Sequence, residues 1–163
     1  GSMHAMSHDA AAIVAFVREA RRMCREEPIT YRGLVYPWHC DHMGHMNVMW
    51  YTGKFDEASW SFLASFGLTA AYLREQGRRM AAVEQTINYR QELFAGDAVK
   101  IVSQMLEVHE KAIHFSHRMY KEGSSETVAV CTLIGVHLDA QTRRACALPA
   151  AVAERARELV EAG

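Results

Sequence analysis

Four cysteines, none in a CxxC pair, leave this 163-residue chain without a disulfide scaffold or a zinc ribbon. Cys24, Cys40, Cys131 and Cys146 are scattered, as expected of reduced thiols in a cytoplasm. No apolar run reaches the ~18 residues of a membrane span, so no membrane partner is expected. Neither charge sign dominates: 18 Lys and Arg stand against 19 Asp and Glu, a formal net charge of -1. That balance gives no global pull toward nucleic acid or anionic membrane, though it leaves a local basic patch open. Internal repeats, low-complexity segments and linkers are missing as well.

What is present suits one domain. Half the residues are apolar and 23% are charged, enough for a sizeable core without staples. Residues 1–6 read as an expression-tag scar and Ser7 to Ala20 lacks signal-peptide architecture, so the domain is placed at 7–163. Segments 7–28 and 149–163 are terminal helical additions to it.

Ile13, Val14, Phe16, Val17, Ala20 and Met23 recur at helical spacing and predict a helix over 8–26, stopped by Pro28. Ile29 to Tyr36 reads as a strand ended by Pro37. A second helix is capped by Asn47 and ended by Gly67. Its apolar stripe is Val48, Tyr51, Thr52, Phe55, Ser59, Phe62 and Phe66, with Lys54, Glu57, Ser61 and Ser65 opposite. Trp50 and Trp60 widen the stripe, so protein should wrap this helix on most sides. A short helix, Thr69 to Gln76, follows. Strands are expected over Met80–Tyr89, Ala98–His109, a segment alternating through Ile113, Phe115, His117 and Met119, and Val128–Leu138, which is apolar on both faces. A helix over Pro149–Ala162 closes the chain. Strands segregated from one buried helix imply an α+β fold, an antiparallel sheet wrapped around a long central helix.

The reactive side chains concentrate in Trp38-His39-Cys40-Asp41-His42-Met43-Gly44-His45-Met46-Asn47, which runs straight into a helix N-terminus. The first N–H groups of a helix lack internal partners and carry the positive dipole end, so they can bind a developing oxyanion. A carboxylate just upstream can serve as nucleophile or base beside them. Gly44 permits a sharp approach with no Cβ in the way.

Asp41, Gly44, His45, Asn47 and Tyr51 together resemble the D-x-x-G-H-x-N-x-x-x-Y signature of hot-dog thioesterases of the 4-hydroxybenzoyl-CoA thioesterase type. The similarity continues through Val83–Tyr89 and Gly96-Asp97. This resemblance implies a hot-dog fold and hydrolysis of an acyl-CoA thioester to a free acid and CoA. It implies no metal and no cofactor beyond the coenzyme A of the substrate. It also implies a homodimer, often paired into a homotetramer, with the site between subunits. By position, Asp41 matches the catalytic carboxylate and the Val48 backbone N–H the group that polarises the thioester carbonyl. His45 and Asn47 match motif positions that shape the loop, while Gly44, Tyr51 and Glu84 are assigned to substrate binding. His39 stands where many relatives have a second Asp, and Val48 where many have a second Asn. These departures bear on substrate and mechanism more than on fold.

Other readings stand beside these. Asp41 also suits a turn, Asn47 a helix cap, and His45 a structural hydrogen bond. His39, Asp41, His42 and His45 have zinc-compatible side chains, but not the two-ligand helix spacing of HExxH. Glu57 pairs with Lys54 or Ser61, or faces the cleft. Glu84 is either an exposed edge residue or a second polar group of the site. Arg78, Arg79, Lys111 and Arg118 are candidates for the CoA phosphates or plain surface charges. The alternatives of function are hydration or dehydration of an enoyl- or hydroxyacyl-thioester on the same fold, and a non-catalytic acyl-CoA-binding module.

Overall fold

The computed structural model describes residues 2–23 and 27–161. The elements run α1 (Ser2–Met23), β1 (Ile29–Leu34), a single 3-10 turn (Pro37–His39), α2 (Val48–Ser65) and α3 (Ala70–Glu75). They continue as β2 (Arg78–Tyr89), β3 (Ala98–Val108), β4 (Ala112–Lys121), β5 (Thr127–Asp139) and α4 (Ala150–Glu161). The strands form one antiparallel sheet in the order β1-β3-β4-β5-β2. The α+β expectation holds, with α2 as the helix the sheet curls around.

Alternation in the strands decides which face meets α2. In β3, Val99, Ile101, Ser103 and Met105 point inward, while Lys100, Val102 and Gln104 are partly exposed. The inward residues join Phe55, Ala58 and Phe62 of α2 with Ile113, Phe115, Met119, Cys131 and Leu133 in one core. On β5, Cys131, Leu133 and Gly135 are buried, and Val130, Thr132, Ile134 and Val136 on the other face are half-buried. The strand is interior in the sheet order, as its two-sided apolarity implies. Leu148 and three residues of α4, Val152, Ala153 and Ala156, close one side of the core.

One polar chain crosses this core. Ser59 Oγ donates to Phe55 O at 2.9 Å, so its oxygen accepts from His117 Nε2–H at 2.8 Å. His117 Nδ1 accepts from Ser103 at 2.6 Å, and Ser103 meets Thr30 at 2.7 Å. Among the described residues no buried side-chain nitrogen or oxygen lacks a partner, so this network ties α2 to β1, β3 and β4 without an unpaired group.

Four expectations need correction. The first helix begins at Ser2 rather than residue 8, and residues 24–26, with Cys24, lie outside the described residues. Ile13, Val14, Phe16 and Val17 form no core face: all four are exposed. On α2, Val48 and Thr52 are exposed although placed on the apolar stripe, and Lys54 is buried although placed opposite. Lys54 Nζ reaches oxygens that helix periodicity cannot reveal, donating to Tyr31 Oη at 2.7 Å and Leu34 O at 3.4 Å. Finally, α2 is not wrapped on most sides within one chain, because the sheet covers one face and leaves Met49, Thr52, Asp56 and Trp60 exposed.

Candidate active site

The loop before α2 is a tight hairpin. Gly44 N–H donates to Asp41 O at 3.0 Å, Asp41 N–H donates to His45 O at 3.2 Å, and Cys40 bridges Met46 behind them. Gly44 sits at φ +86°, the left-handed position that a three-residue hairpin loop requires. A Cβ at Gly44 would meet nothing within 4 Å, so its requirement is conformational and not the close approach expected of it. The hairpin is anchored by Met46 N–H on Leu93 O at 2.7 Å and Asn47 N–H on His39 O at 2.9 Å.

This frame holds Asp41 by both oxygens. Oδ1 accepts from Met43 N–H at 2.8 Å and Oδ2 from Asn47 Nδ2–H at 2.8 Å. The Asn47 bond, seconded by the Met43 bond, lowers the Asp41 pKa below the usual carboxylate value; slight desolvation opposes it and His45 and His42 add a little. Asp41 is therefore a fixed, ionised carboxylate at neutral pH. Asn47 Oδ1 meanwhile accepts from Met49 N–H at 3.0 Å, capping α2. One side chain thus positions the carboxylate and fixes the helix end. The Val48 N–H makes no hydrogen bond among the described residues and is a free donor at the positive end of α2.

His45 is half-buried, with Nδ1 at 3.4 Å from Met46 O and Nε2 at 3.6 Å from Glu92 Oε1. Tyr51 is buried and gives its hydroxyl to Gln91 O at 3.0 Å. Burial first and the Glu92 charge second push the Tyr51 pKa up to about 12, so it stays a neutral brace for the 89–92 segment. Asp41, Gly44, His45, Asn47, Val48 and Tyr51 are therefore gathered around one helix end. Glu84 is not brought to them within the chain. It is exposed on edge strand β2, opposite Ile134 and beside a bulge, five residues and roughly 17 Å along the strand from Tyr89.

Two hollows flank the helix end. One, of about 240 Å³, is lined by Val48, Tyr51, Tyr89 and Glu92 among others. The other, of about 550 Å³, lies between β1, the 3-10 turn and α2, with Tyr36, Trp38, His39, Trp50, Lys54 and Glu57 on its walls. Tyr36 and Trp38 stack at 4.4 Å and 4°, and His39 lies 4.5 Å from Trp50. His39 Nδ1 accepts from Tyr36 N–H at 2.9 Å, and burial, with a smaller push from Lys54, lowers its pKa, so the ring is neutral. Composition alone did not single out Glu92, Tyr89 or the Lys54–Tyr31 pair, whose partners lie 20 or more residues away. Among the described residues no group of three His, Cys, Asp or Glu could hold a metal, so the reading of this loop as a zinc site finds no ligand set there. Of the candidate phosphate contacts, Arg78 is held by Asp139 at 2.6 Å, whereas Arg79, Lys111 and Arg118 are exposed.

The chain belongs to the thioesterase-like superfamily, whose family model matches residues 35–156. Its five-stranded sheet around α2 is the hot-dog fold. It is 26% identical over 133 residues to the betainyl-CoA thioesterase of Pseudomonas aeruginosa, covering 82% of this chain and 84% of that protein. It is 30% identical over 121 residues to the L-carnitine dehydrogenase/betainyl-CoA thioesterase of Rhizobium meliloti, covering 74% of this chain but only 24% of that longer protein. A hypothetical protein of Staphylococcus aureus, solved in complex with CoA, superposes with a TM-score of 0.77 at 19% identity, over 83% of this chain and 85% of that one.

Proposed function

We propose that this protein hydrolyses an acyl-CoA thioester, with Asp41 as the working carboxylate and the Val48 N–H as the oxyanion donor. The observation that carries the reading is the Asn47 side chain holding Asp41 Oδ2 at 2.8 Å and the α2 N-terminus at 3.0 Å. Family membership supports the reaction class.

In this reaction the thioester carbonyl oxygen lies on the Val48 N–H, at the positive end of α2. Asp41 either attacks the carbonyl carbon, giving an anhydride that water then opens, or takes a proton from the attacking water. By both routes one water is consumed, a C–O bond forms, the C–S bond breaks, and CoA leaves as the thiol. Negative charge that builds on the carbonyl oxygen is met by a donor already in place, and losing one such donor typically raises a barrier by about 3 kcal/mol. The reaction uses the chain's own groups, with coenzyme A as part of the substrate and no resident cofactor. His45 keeps the hairpin closed through the Met46 and Glu92 contacts. The relatives' substrate, betainyl-CoA, extends a cationic acyl class to this chain.

The working unit in this reading is a homodimer, itself able to pair into a tetramer. The twelve-residue strand β2 lies at a sheet edge with Ala82 to Thr86 exposed, and the outward face of α2 beside it is bare. A second copy pairing along that edge would cover both and would bring Glu84 of one copy alongside the other.

Thiol release from a panel of acyl-CoAs tests the function, with light scattering for the assembly. Turnover on at least one member by an oligomer is the expected outcome. Acyl-CoA binding without release from any member would leave a binding module instead.

A further inference from the structure

The smaller of the two hollows carries a specificity argument of its own, resting on the thioesterase reading. In a thioester whose acyl group is a quaternary ammonium acetic acid, the cationic nitrogen is one methylene from the carbonyl carbon. With the carbonyl on the Val48 N–H, that nitrogen must lie in a space that Val48 itself borders. The 240 Å³ hollow satisfies this condition. The 550 Å³ cleft does not include Val48, and there the Glu57 carboxylate already acts on the buried Lys54 ammonium, a cation that repels another.

The walls of the smaller hollow suit such a head chemically. Tyr51 and Tyr89 meet edge to face, with ring centroids 5.2 Å apart at 89°. They form a corner of two perpendicular aromatic walls, one buried and one about half exposed. Tyr51 is locked there by its bond to Gln91 O. The exposed Glu92 carboxylate stands on the same flank, 3.6 Å from His45 and close enough for its charge to be felt at the Tyr51 hydroxyl. The one permanent cation in the lining, Arg90, is tied through Nε to Asn88 Oδ1 at 3.0 Å. Asp41, ionised beside the helix end, offsets the positive dipole that would otherwise oppose a cation here. Aromatic faces with a nearby carboxylate recognise quaternary ammonium groups, which shed water easily and offer no hydrogen bond.

We infer that Tyr89 and Glu92 select a compact quaternary-ammonium acyl head, held against Tyr51 in the hollow beside Val48. Neither residue takes part in breaking the thioester; both determine which acyl group is presented to Asp41.

Hydrolysis of betainyl-CoA and of 3,3-dimethylbutanoyl-CoA, its uncharged isostere, tests this inference. The two acyl groups share a shape and differ only in charge, so the ratio of their kcat/KM values isolates the cation. The expected ratio is about tenfold or more in favour of betainyl-CoA. Glu92→Gln and Tyr89→Leu should each bring it toward one, and Glu57→Gln, in the other cleft, should keep the wild-type value. Equal hydrolysis of both thioesters, or a preference that survives Glu92→Gln and Tyr89→Leu, overturns the specificity assignment while leaving the thioesterase reading standing. Hydrolysis of neither, from these or any other acyl-CoA, overturns the thioesterase reading and this assignment with it.

Discussion

The Asn47 amide links Asp41 to the start of α2, donating to Asp41 Oδ2 at 2.8 Å while its oxygen accepts from Met49 N–H at 3.0 Å. The distance between the carboxylate and the free Val48 N–H is thereby set by one side chain. Asn47→Ala should lose the cap, costing about 1 kcal/mol of stability, and let the carboxylate turn. Activity should fall by about tenfold or more, beyond anything the lost stability explains. Thermal melts and kcat/KM measured together separate the two effects; a destabilised protein of unchanged kcat/KM would count against the link.

The same bond has a pH signature. A lowered Asp41 pKa keeps the carboxylate ionised as pH falls, and activity is lost only on passing down through that lowered value. The acid limb of kcat/KM should therefore lie below the usual carboxylate range. In Asn47→Ala the largest lowering influence is gone, so the limb should move upward. A pH–rate profile of both proteins checks the direction.

His117 makes the fold sensitive to mild acid. Burial lowers its pKa from 6.5 to about 4, so the native ring resists a proton that the unfolded chain accepts. Above pH 6.5 both states are neutral and nothing is lost. Between pH 6.5 and 4 stability should drop, by about 3 kcal/mol at ~1.4 kcal/mol per pKa unit. Denaturant unfolding across this window should show the slope, and His117→Gln should flatten it.

Lys54 is a buried ammonium held by a phenol and a carbonyl; among the described residues no carboxylate is hydrogen-bonded to it, though the Glu57 charge partly offsets its burial. Burial lowers its pKa, so the native state penalises the charge, and the penalty fades as pH rises from the lowered value toward the ordinary 10.5. Lys54→Met should be neutral or stabilising, since an apolar side chain of similar length removes a desolvated charge. A melting temperature several degrees lower would show the two hydrogen bonds to outweigh it.

Gly44→Ala should destabilise by roughly 1–2 kcal/mol through its left-handed backbone alone, since a Cβ has open space there. Gly44→Asn should cost less. A thermal shift for each variant tests the order.

Much of this was legible from local pattern. Asn47 and Gly67 bracket α2 where capping chemistry puts them, and the β3 and β4 alternation names the faces that meet Phe55 and Phe62. The main failures are non-local. Lys54 is buried because Tyr31 and Leu34 supply oxygens from β1, which helix periodicity cannot see. The α1 stripe has helical spacing, yet spacing does not say that a partner surface exists for it. The lowered Asp41 pKa comes chiefly from the Asn47 and Met43 hydrogen bonds, which the residue order alone does not show. Glu92 reaches the site because Tyr51 grips Gln91, forty residues distant in the chain.

The central claim is that the Asp41 carboxylate carries the reaction, and Asp41→Asn assayed by CoA release tests it most directly. The substitution keeps the side-chain size and an acceptor for Met43 N–H. A folded Asp41→Asn protein should lose about a hundredfold or more in kcat, as removal of a reacting group costs at least as much as one oxyanion donor. A folded variant with wild-type kcat would contradict the account.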